Sequence, residues 1–202
     1  MAHKRANHNS VVLPDGKVLV LGGLPYPQAF SDNDAVRSPE LWDPATERFT
    51  TLRAAGVPRT YHSVATLLAD GRVFSGGGGL CGDCDTNHFN GEIFTRPYLL
   101  NGDGTLRSRP TITSAPTSAA AGATITVGTG GRVSRFSLVR MGTATHSVNT
   151  DQRRISVSSG AVTGGYTVHL PSDKGVVLPG DYLLFALDAN GTPSVARTIR
   201  IT

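Results

Sequence analysis

The sequence contains no long apolar run, only two cysteines and few aromatic residues. No segment approaches the roughly 18 consecutive apolar residues of a transmembrane helix, so no membrane span is predicted. Residues 1–6 are basic but are followed by no apolar segment, and they are therefore not expected to form a signal peptide. The 39% hydrophobic content is ordinary for a globular protein, so a buried core can form.

Positive charge is in excess but is not concentrated. The net charge is +4 and the isoelectric point is about 9.4, yet basic side chains are adjacent only at Lys4-Arg5 and Arg153-Arg154. Nucleic-acid binding requires a clustered basic surface or a known module, and neither is present. Solvated surface charge accounts for the excess, so no nucleic-acid partner is expected.

The two cysteines, Cys81 and Cys84, lie in the glycine-rich segment 76–84. A zinc site needs four ligands, and two thiols do not supply them. A redox pair with this spacing is typical of a cytosolic βαβ protein, which the rest of the sequence does not resemble. A disulfide in a secreted protein is the favoured interpretation, with two free thiols as the alternative.

Glycine and proline are abundant, and they separate short apolar runs. The 24 glycines and 12 prolines predict many short strands joined by tight turns. No apolar pattern of helical period continues beyond a turn or two. The expected fold is therefore nearly all β.

Two segments of the first hundred residues resemble each other. Residues 10–23 and 63–77 each contain an apolar run, an Asp-Gly pair, a second apolar run and a Gly-Gly pair. Asp-Gly between apolar runs predicts a hairpin, because the turn requires positive φ. A third apolar element follows each copy, at residues 40–44 and 92–97. The offset of about 53 residues is close to the roughly 50 of a kelch-type propeller blade.

A propeller blade buries its faces only against neighbouring blades, and propellers contain four to eight of them. The two copies are therefore interpreted as the last two blades of a partial kelch-type β-propeller whose upstream blades are missing from this sequence. Two unrelated hairpins are the alternative.

The composition changes near residue 108, after which short strands dominate. Strands are predicted at residues 123–127, 135–140, 153–157, 165–170, 180–187 and 194–201. So many strands in about 95 residues predict an immunoglobulin-like β-sandwich. The expected domains are residues 1–107, forming terminal blades, and residues 108–202, forming the sandwich. His169 alternates with apolar neighbours and is expected to be a surface histidine.

Three segments, at residues 59–63, 76–89 and 142–154, together resemble the galactose oxidase and glyoxal oxidase-like copper radical oxidases. The first reads Arg-Thr-Tyr-His-Ser, and the third contains Thr-His-Ser-Val-Asn. The similarity extends over almost the whole chain and keeps the segments in the same order. It implies a kelch propeller followed by an early set domain of immunoglobulin-like fold, in a protein that is secreted as the full-length chain.

The resemblance also implies a copper site. Tyr61 matches the axial tyrosine, which is a ligand and the general base, while His62 and His146 match the two histidine ligands. Phe30 falls where the family has an aromatic wall of the substrate pocket, although its loop has diverged. Consecutive residues alternate faces in a strand, so Tyr61 and His62 could share a metal only at a strand end or in a loop. Imidazole and phenolate donors suit Cu(II).

The implied activity is the oxidation of a primary alcohol, sugar or aldehyde by O2, which produces H2O2, in a monomeric full-length protein. It requires a Cys–Tyr radical cofactor in addition to Cu(II). The resemblance assigns Cys81 and Cys84 to a disulfide, and no other tyrosine lies in the cross-linking motif. The radical cofactor is therefore expected from the missing upstream region, and this chain alone is expected to be incomplete and inactive.

Two other classes of function remain open. The first is a non-catalytic kelch protein that binds partners, and the second is a carbohydrate-binding sandwich attached to an inactive propeller. A scaffold has no use for copper ligands, and no aromatic platform is evident after residue 109. Binding to cellulose or galactan would distinguish the second class from an oxidase.

Overall fold

The computed structural model describes residues 1–202 and contains strands throughout, with one short 3₁₀ turn at Pro97–Leu99. That turn cannot cross a membrane. The all-β prediction is therefore confirmed. The chain forms two compact units, and each is discontinuous in sequence. The first comprises Met1–Leu68, Arg72–Phe94 and Gly142–Gln152, and the second comprises Ala69–Gly71, Thr95–Met141 and Arg153–Thr202.

The strands are numbered in chain order. They are β1 Ala6–Val12, β2 Val18–Leu24, β3 Glu40–Asp43, β4 Arg48–Thr51, β5 Ser63–Leu67, β6 Val73–Gly77, β7 Gly91–Phe94, β8 Thr111–Ser114, β9 Ser118–Ala119, β10 Thr124–Gly130, β11 Arg135–Arg140, β12 Ala144–Thr145, β13 Val148–Asn149, β14 Arg154–Val162, β15 Gly165–His169, β16 Gly180–Leu187 and β17 Arg197–Ile201.

Besides the two-stranded sheet β12–β13, the first unit contains two larger antiparallel sheets, which agree with two blades of a partial propeller. One has the order β1-β2-β3-β4 and the other the order β5-β6-β7. Both predicted Asp-Gly hairpins form, with Gly16 at φ 98° and Gly71 at φ 83° in the β1–β2 and β5–β6 turns. The third element of each repeat is also a strand, β3 and β7. The sequence did not predict β4.

A buried ion pair holds the start of the first sheet. The Arg5 and Glu40 side chains are fully buried, and Arg5 Nη2 lies 3.0 Å from Glu40 Oε2. Arg5 Nη1 also donates to the Gly22 carbonyl at 2.8 Å. Burial by itself raises the pKa of Glu40, but hydrogen bonds from the Ala2 amide and from Arg5 outweigh it and leave the pKa below its ordinary value. Arg5 thus ties β3 to the end of β2.

A short hairpin, β12–β13, belongs to the first unit although its sequence lies among the strands of the second. Ser147 donates from its amide to the Ser63 carbonyl at 2.9 Å, and from its hydroxyl to the Thr60 carbonyl at 3.0 Å. Gln152 accepts from the Val12 amide and donates to the Ser10 carbonyl, at 2.8 and 2.6 Å. These bonds hold the hairpin beside the end of β1 and the start of β5.

The second unit is built on eight strands in the order β8-β10-β15-β14-β11-β16-β17-β9. The amino-terminal part of β14 pairs with β11, and its carboxy-terminal part pairs with β15. This long strand therefore joins the two halves of the sandwich. Their inward residues, among them Phe136, Leu138, Tyr182 and Leu184, form one apolar core.

The predicted strands of this unit agree with the structure to within a few residues. The bounds of β11 and β16 are those predicted, whereas β14 continues to Val162 and β17 starts at Arg197 instead of Ser194. Ser194 instead donates a hydrogen bond from its amide to the Ala186 carbonyl, and its hydroxyl oxygen accepts one from the Ala186 amide. The short strands β8 and β9 were not predicted. His169 is exposed, as expected, and its Nδ1 lies 2.9 Å from the Thr124 hydroxyl.

Candidate metal centre

Three aromatic rings meet in the first unit: those of Tyr61, His62 and His146. The Tyr61 and His62 rings stack with centroids 4.0 Å apart and an interplanar angle of 29°. The His146 ring meets the His62 ring edge-on at 4.7 Å and lies 6.2 Å from the Tyr61 ring. Residues more than eighty positions apart in sequence therefore present two imidazoles and one phenol to the same region.

Tyr61 and His62 occupy the turn immediately before β5, which is the strand-end position that the sequence required. His62 has a φ of 67°, a left-handed conformation that is uncommon for residues other than glycine. A residue in a regular strand would turn one of the two side chains to the opposite face. The left-handed residue thus lets consecutive side chains point into one site.

Arg59 anchors the segment that leads into this turn. Its guanidinium donates to the Gly77 carbonyl at 2.9 Å and to Asn90 Oδ1 at 2.8 Å, while its own carbonyl accepts from the Gly23 amide at 2.7 Å. Burial lowers the pKa of Arg59, and the charges of Glu92 and Asp32 oppose that shift. Arg59 therefore links the ends of β2 and β6, and it lies two residues before Tyr61 in the sequence.

The His62 ring has a defined orientation, because its Nδ1 lies 2.6 Å from the Gly79 carbonyl oxygen. A carbonyl only accepts, so Nδ1 carries a proton, and in the neutral ring the lone pair is then on Nε2. The Gly79 amide in turn donates to the Tyr61 carbonyl at 3.0 Å. Gly79 thus contacts both residues of the turn and selects the imidazole nitrogen that is available to a metal.

His146 lies at the tip of the β12–β13 hairpin and is exposed. His146 and Ser147 both have positive φ, at 50° and 63°, so the tip is a tight turn of two left-handed residues. His146 Nδ1 is 2.6 Å from the Thr145 hydroxyl. A hydroxyl can donate or accept, so this contact orients the ring without fixing which nitrogen is protonated.

Phe30 lies beside the ring cluster. Its ring meets the Tyr61 and His62 rings edge-on, with centroids at 5.5 and 5.8 Å, and 46% of the residue is exposed. It too has positive φ, at 55°. The nearby Asp32 pairs with His88, with Oδ2 at 2.7 Å from Nε2. The structure therefore places Phe30 where it could cover one side of a substrate, and that role remains a prediction.

Cys81 and Cys84 form a disulfide, as predicted, with their Cα atoms 5.7 Å apart. The bridge closes a loop that begins next to Gly79. The Thr86 hydroxyl lies 3.3 and 3.1 Å from the two sulfurs, and Asn87 Oδ1 accepts from the amides of Leu80 and Cys81. The bridge therefore stabilises the segment that supplies the Gly79 carbonyl.

Two imidazoles and a phenol are a donor set that fits copper. The chain has no group of three or more His, Cys, Asp and Glu side chains arranged to hold a metal ion, so a metal here would require the Tyr61 oxygen. Nitrogen and phenolate oxygen donors suit Cu(II), whereas structural zinc sites use thiolates and imidazoles. The remaining tyrosines lie elsewhere: Tyr26 bonds to Asp34, and the other three belong to the second unit.

Sequence reasoning did not find Gly79, Asn87 or Ser147. Gly79 acts through its backbone atoms, and Ser147 acts partly through its backbone amide, so residue type alone marks neither of them. The run of four glycines at residues 76–79 was the one available indication, because such runs mark close backbone approach.

Two family models match the chain. The glyoxal oxidase N-terminus model matches residues 1–94, and the galactose oxidase-like early set domain model matches residues 109–201. The predicted boundary between residues 107 and 108 lies in the segment between the two matched ranges.

Relatives and a solved structure agree with these models. A galactose oxidase of Gibberella zeae is 49% identical over 98% of the chain, which spans 29% of that protein. An aldehyde oxidase of Arabidopsis thaliana is 29% identical over 100% of the chain and 36% of its own length. A fungal alcohol oxidase of the AA5 family, solved in complex with copper, superposes on 100% of the chain and 43% of its own, with a TM-score of 0.95 and 45% identity. The chain thus spans less than half of each relative, and it belongs to the family of galactose oxidase and glyoxal oxidase-like copper radical oxidases.

Proposed function

We propose that Tyr61, His62 and His146 form the protein-derived part of a copper site in an oxidase. The oxidase converts primary alcohols of the galactose type, or aldehydes, and reduces O2 to H2O2. The observation that carries this proposal is the meeting of the three rings, with centroids between 4.0 and 6.2 Å apart. The alcohol, galactose and aldehyde oxidases among the relatives support the substrate class.

The histidines are suited to bind the metal through Nε2. For His62 the Gly79 carbonyl occupies Nδ1, so only Nε2 can reach a metal. For His146 the Thr145 hydroxyl contacts Nδ1, which leaves Nε2 without a hydrogen-bond partner but does not fix the position of the proton. In both histidines Nε2 is therefore the nitrogen left for a metal.

Each residue has a role that follows from its chemistry. Bound copper would supply a Lewis acid for the substrate oxygen and an acceptor for one electron, and a Cys–Tyr radical group would supply the acceptor for the second. By the family resemblance, Tyr61 Oη is the general base that would accept the hydroxyl proton of an alcohol. Phe30 packs its ring edge against Tyr61 and His62 and shields that side of the site from water.

The second redox group cannot come from the cysteines of this chain, because Cys81 and Cys84 are bonded to each other and no free cysteine exists. These 202 residues, loaded with copper, are therefore expected to produce no H2O2 from galactose, glycerol or methylglyoxal. Copper-dependent peroxide production by them would contradict this part of the proposal. The disulfide supports secretion of the protein.

Copper titration followed by electron paramagnetic resonance tests the site. Wild-type protein should bind one Cu(II) with splitting from two nitrogens, and either His62→Ala or His146→Ala should remove one of them. His169→Ala, an exposed histidine on β15, is the matched control and should change nothing. A spectrum that is the same for all four proteins would refute the proposal. Binding to galactan without copper binding would favour the carbohydrate-binding alternative.

A further inference from the structure

The orientation of the His62 ring depends on the Gly79 carbonyl. The position of that carbonyl depends in turn on how firmly the backbone around residue 79 is held. Gly79 has a φ of 77° and lies between the end of β6 and the disulfide. The hydrogen bond from its amide to the Tyr61 carbonyl fixes one side of the residue. The other side continues into Leu80, which is 76% exposed and also has positive φ, at 64°. The exposed Leu80 side chain gives that side little packing support.

The side chain of Asn87 supplies the missing support. Its Oδ1 accepts from the Leu80 amide at 2.6 Å and from the Cys81 amide at 3.3 Å, and its Nδ2 donates to the Gly82 carbonyl. The Asn87 amide donates to the Cys84 carbonyl at 3.2 Å. One side chain therefore bonds three consecutive residues of the loop that the disulfide closes.

Asn87 is also in close approach to Gly79 itself. A Cβ built on Gly79 would lie 2.6 Å from Asn87 Oδ1, so Asn87 occupies the space that a side chain at residue 79 would need. Asn87 bonds no atom of Tyr61, His62 or His146. Any effect of Asn87 on a bound metal must therefore pass through the backbone of residues 79–81.

We propose that Asn87 is a positioning residue of the metal site: it holds the disulfide loop so that the Gly79 carbonyl stays on His62 Nδ1 and His62 Nε2 stays available. Copper binding by His62 is taken from the proposed function. The placement of the His62 proton is a property of the metal-free protein and does not depend on it.

The test compares Asn87→Ala with Asn87→Asp. The aspartate keeps an oxygen that can accept from the Leu80 and Cys81 amides. It loses the bond to Gly82 and places a negatively charged oxygen near that carbonyl. Asn101→Ala is the matched control, because Asn101 also bonds within an exposed turn, to Thr105, but lies in the second unit. Disulfide content, measured by thiol titration, identifies any variant whose loop has failed to form.

The first readout is the protonation of the two His62 nitrogens in metal-free protein, from long-range ¹⁵N–¹H correlation spectra. Wild type, Asn87→Asp and Asn101→Ala should carry the proton on Nδ1, whereas Asn87→Ala should show both tautomers in exchange. The second readout is the Cu(II) dissociation constant from competition with a chelator. It should rise about 10-fold in Asn87→Ala and less in Asn87→Asp, since loss of a partner to a ligand typically costs 10- to 100-fold.

The outcomes separate this inference from the proposed function. If Asn87→Ala keeps the proton on Nδ1 and binds Cu(II) as wild type does, the positioning role is wrong while the copper site stands. If wild-type protein does not bind Cu(II) but Asn87→Ala still loses the Nδ1 preference, the positioning role stands and the copper proposal fails. If Asn87→Asp is as impaired as Asn87→Ala, the acceptor oxygen is not the operative group and the inference is overturned.

Discussion

Replacing Gly79 by alanine should damage the candidate metal centre without touching any proposed ligand. Gly79 has a φ of 77°, and an added Cβ would lie 2.4 Å from the Thr86 carbonyl oxygen and 2.6 Å from Asn87 Oδ1. Neither neighbour can retreat easily, because Thr86 is buried and Asn87 bonds three residues of the loop. The backbone at residue 79 must therefore shift, which moves its carbonyl away from His62 Nδ1.

Gly82→Ala is the matched control for this substitution. Gly82 belongs to the same loop and has a similar φ of 71°, but an added Cβ would meet nothing within 4 Å. Alanine in the left-handed region costs roughly 1–2 kcal/mol at either position. At Gly79 the overlap adds about 1–3 kcal/mol, by analogy with an overpacked core. The difference in the free energy of unfolding between the two variants therefore measures the cost of the overlap separately from the cost of the left-handed backbone.

Two measurements test the prediction. Urea unfolding should show Gly79→Ala less stable than Gly82→Ala by the overlap cost, and chelator competition should show its Cu(II) dissociation constant raised about 10-fold or more. Gly82→Ala should bind Cu(II) as wild type does. Equal copper affinities for the two variants would refute the argument that the position of the Gly79 carbonyl controls His62.

Three further predictions follow from the first unit. Glu40→Gln leaves the buried Arg5 charge without its partner and should cost about 3–5 kcal/mol at pH 7 in urea unfolding. Because the pKa of Glu40 is lowered on folding, its contribution to the free energy of unfolding is present above its ordinary pKa of 4.5 and is lost as the pH falls through the lower folded value. The difference in stability between variant and wild type should therefore narrow in acid. A difference independent of pH would contradict this. The double variant Cys81→Ser/Cys84→Ser should weaken Cu(II) binding about 10-fold, with only a small loss of stability because the closed loop is short. Unchanged copper affinity would show that the disulfide does not support the metal site. His146→Ala should remove a nitrogen from the Cu(II) spectrum while unfolding within about 1 kcal/mol of wild type, because the residue is exposed; a larger loss would give His146 a structural role.

The parts of the fold that the sequence predicted are those specified by local chemistry. Asp15-Gly16 and Asp70-Gly71 fix hairpins because the turn itself demands positive φ, and β11 and β16 are recognised because apolar runs end sharply at polar turns. By contrast, all four residues of β4 are exposed, so no apolar alternation marks it. The two-residue strands β9, β12 and β13 are too short for any pattern.

The site was less accessible to such reasoning. Nothing in the spacing of Tyr61, His62 and His146 brings them together, and only the family resemblance singled them out. The assignment of residues 142–152 to the first unit depends on bonds such as Ser147 to Ser63, which join backbone groups that any residue type carries. Long-range backbone pairing of this kind leaves no mark on a single sequence.

The β12–β13 hairpin also determines when the candidate site can exist during synthesis. Tyr61 and His62 leave the ribosome long before His146. The hydrogen bonds of the Ser10 and Val12 backbone groups cannot form until Gln152, about 140 residues later, has been synthesised. Contacts with such large separations in sequence form late in folding. Copper encountered by the nascent chain would meet only one imidazole and one phenol at this position. The arrangement thus delays complete metal ligation until half of the second unit has also been made.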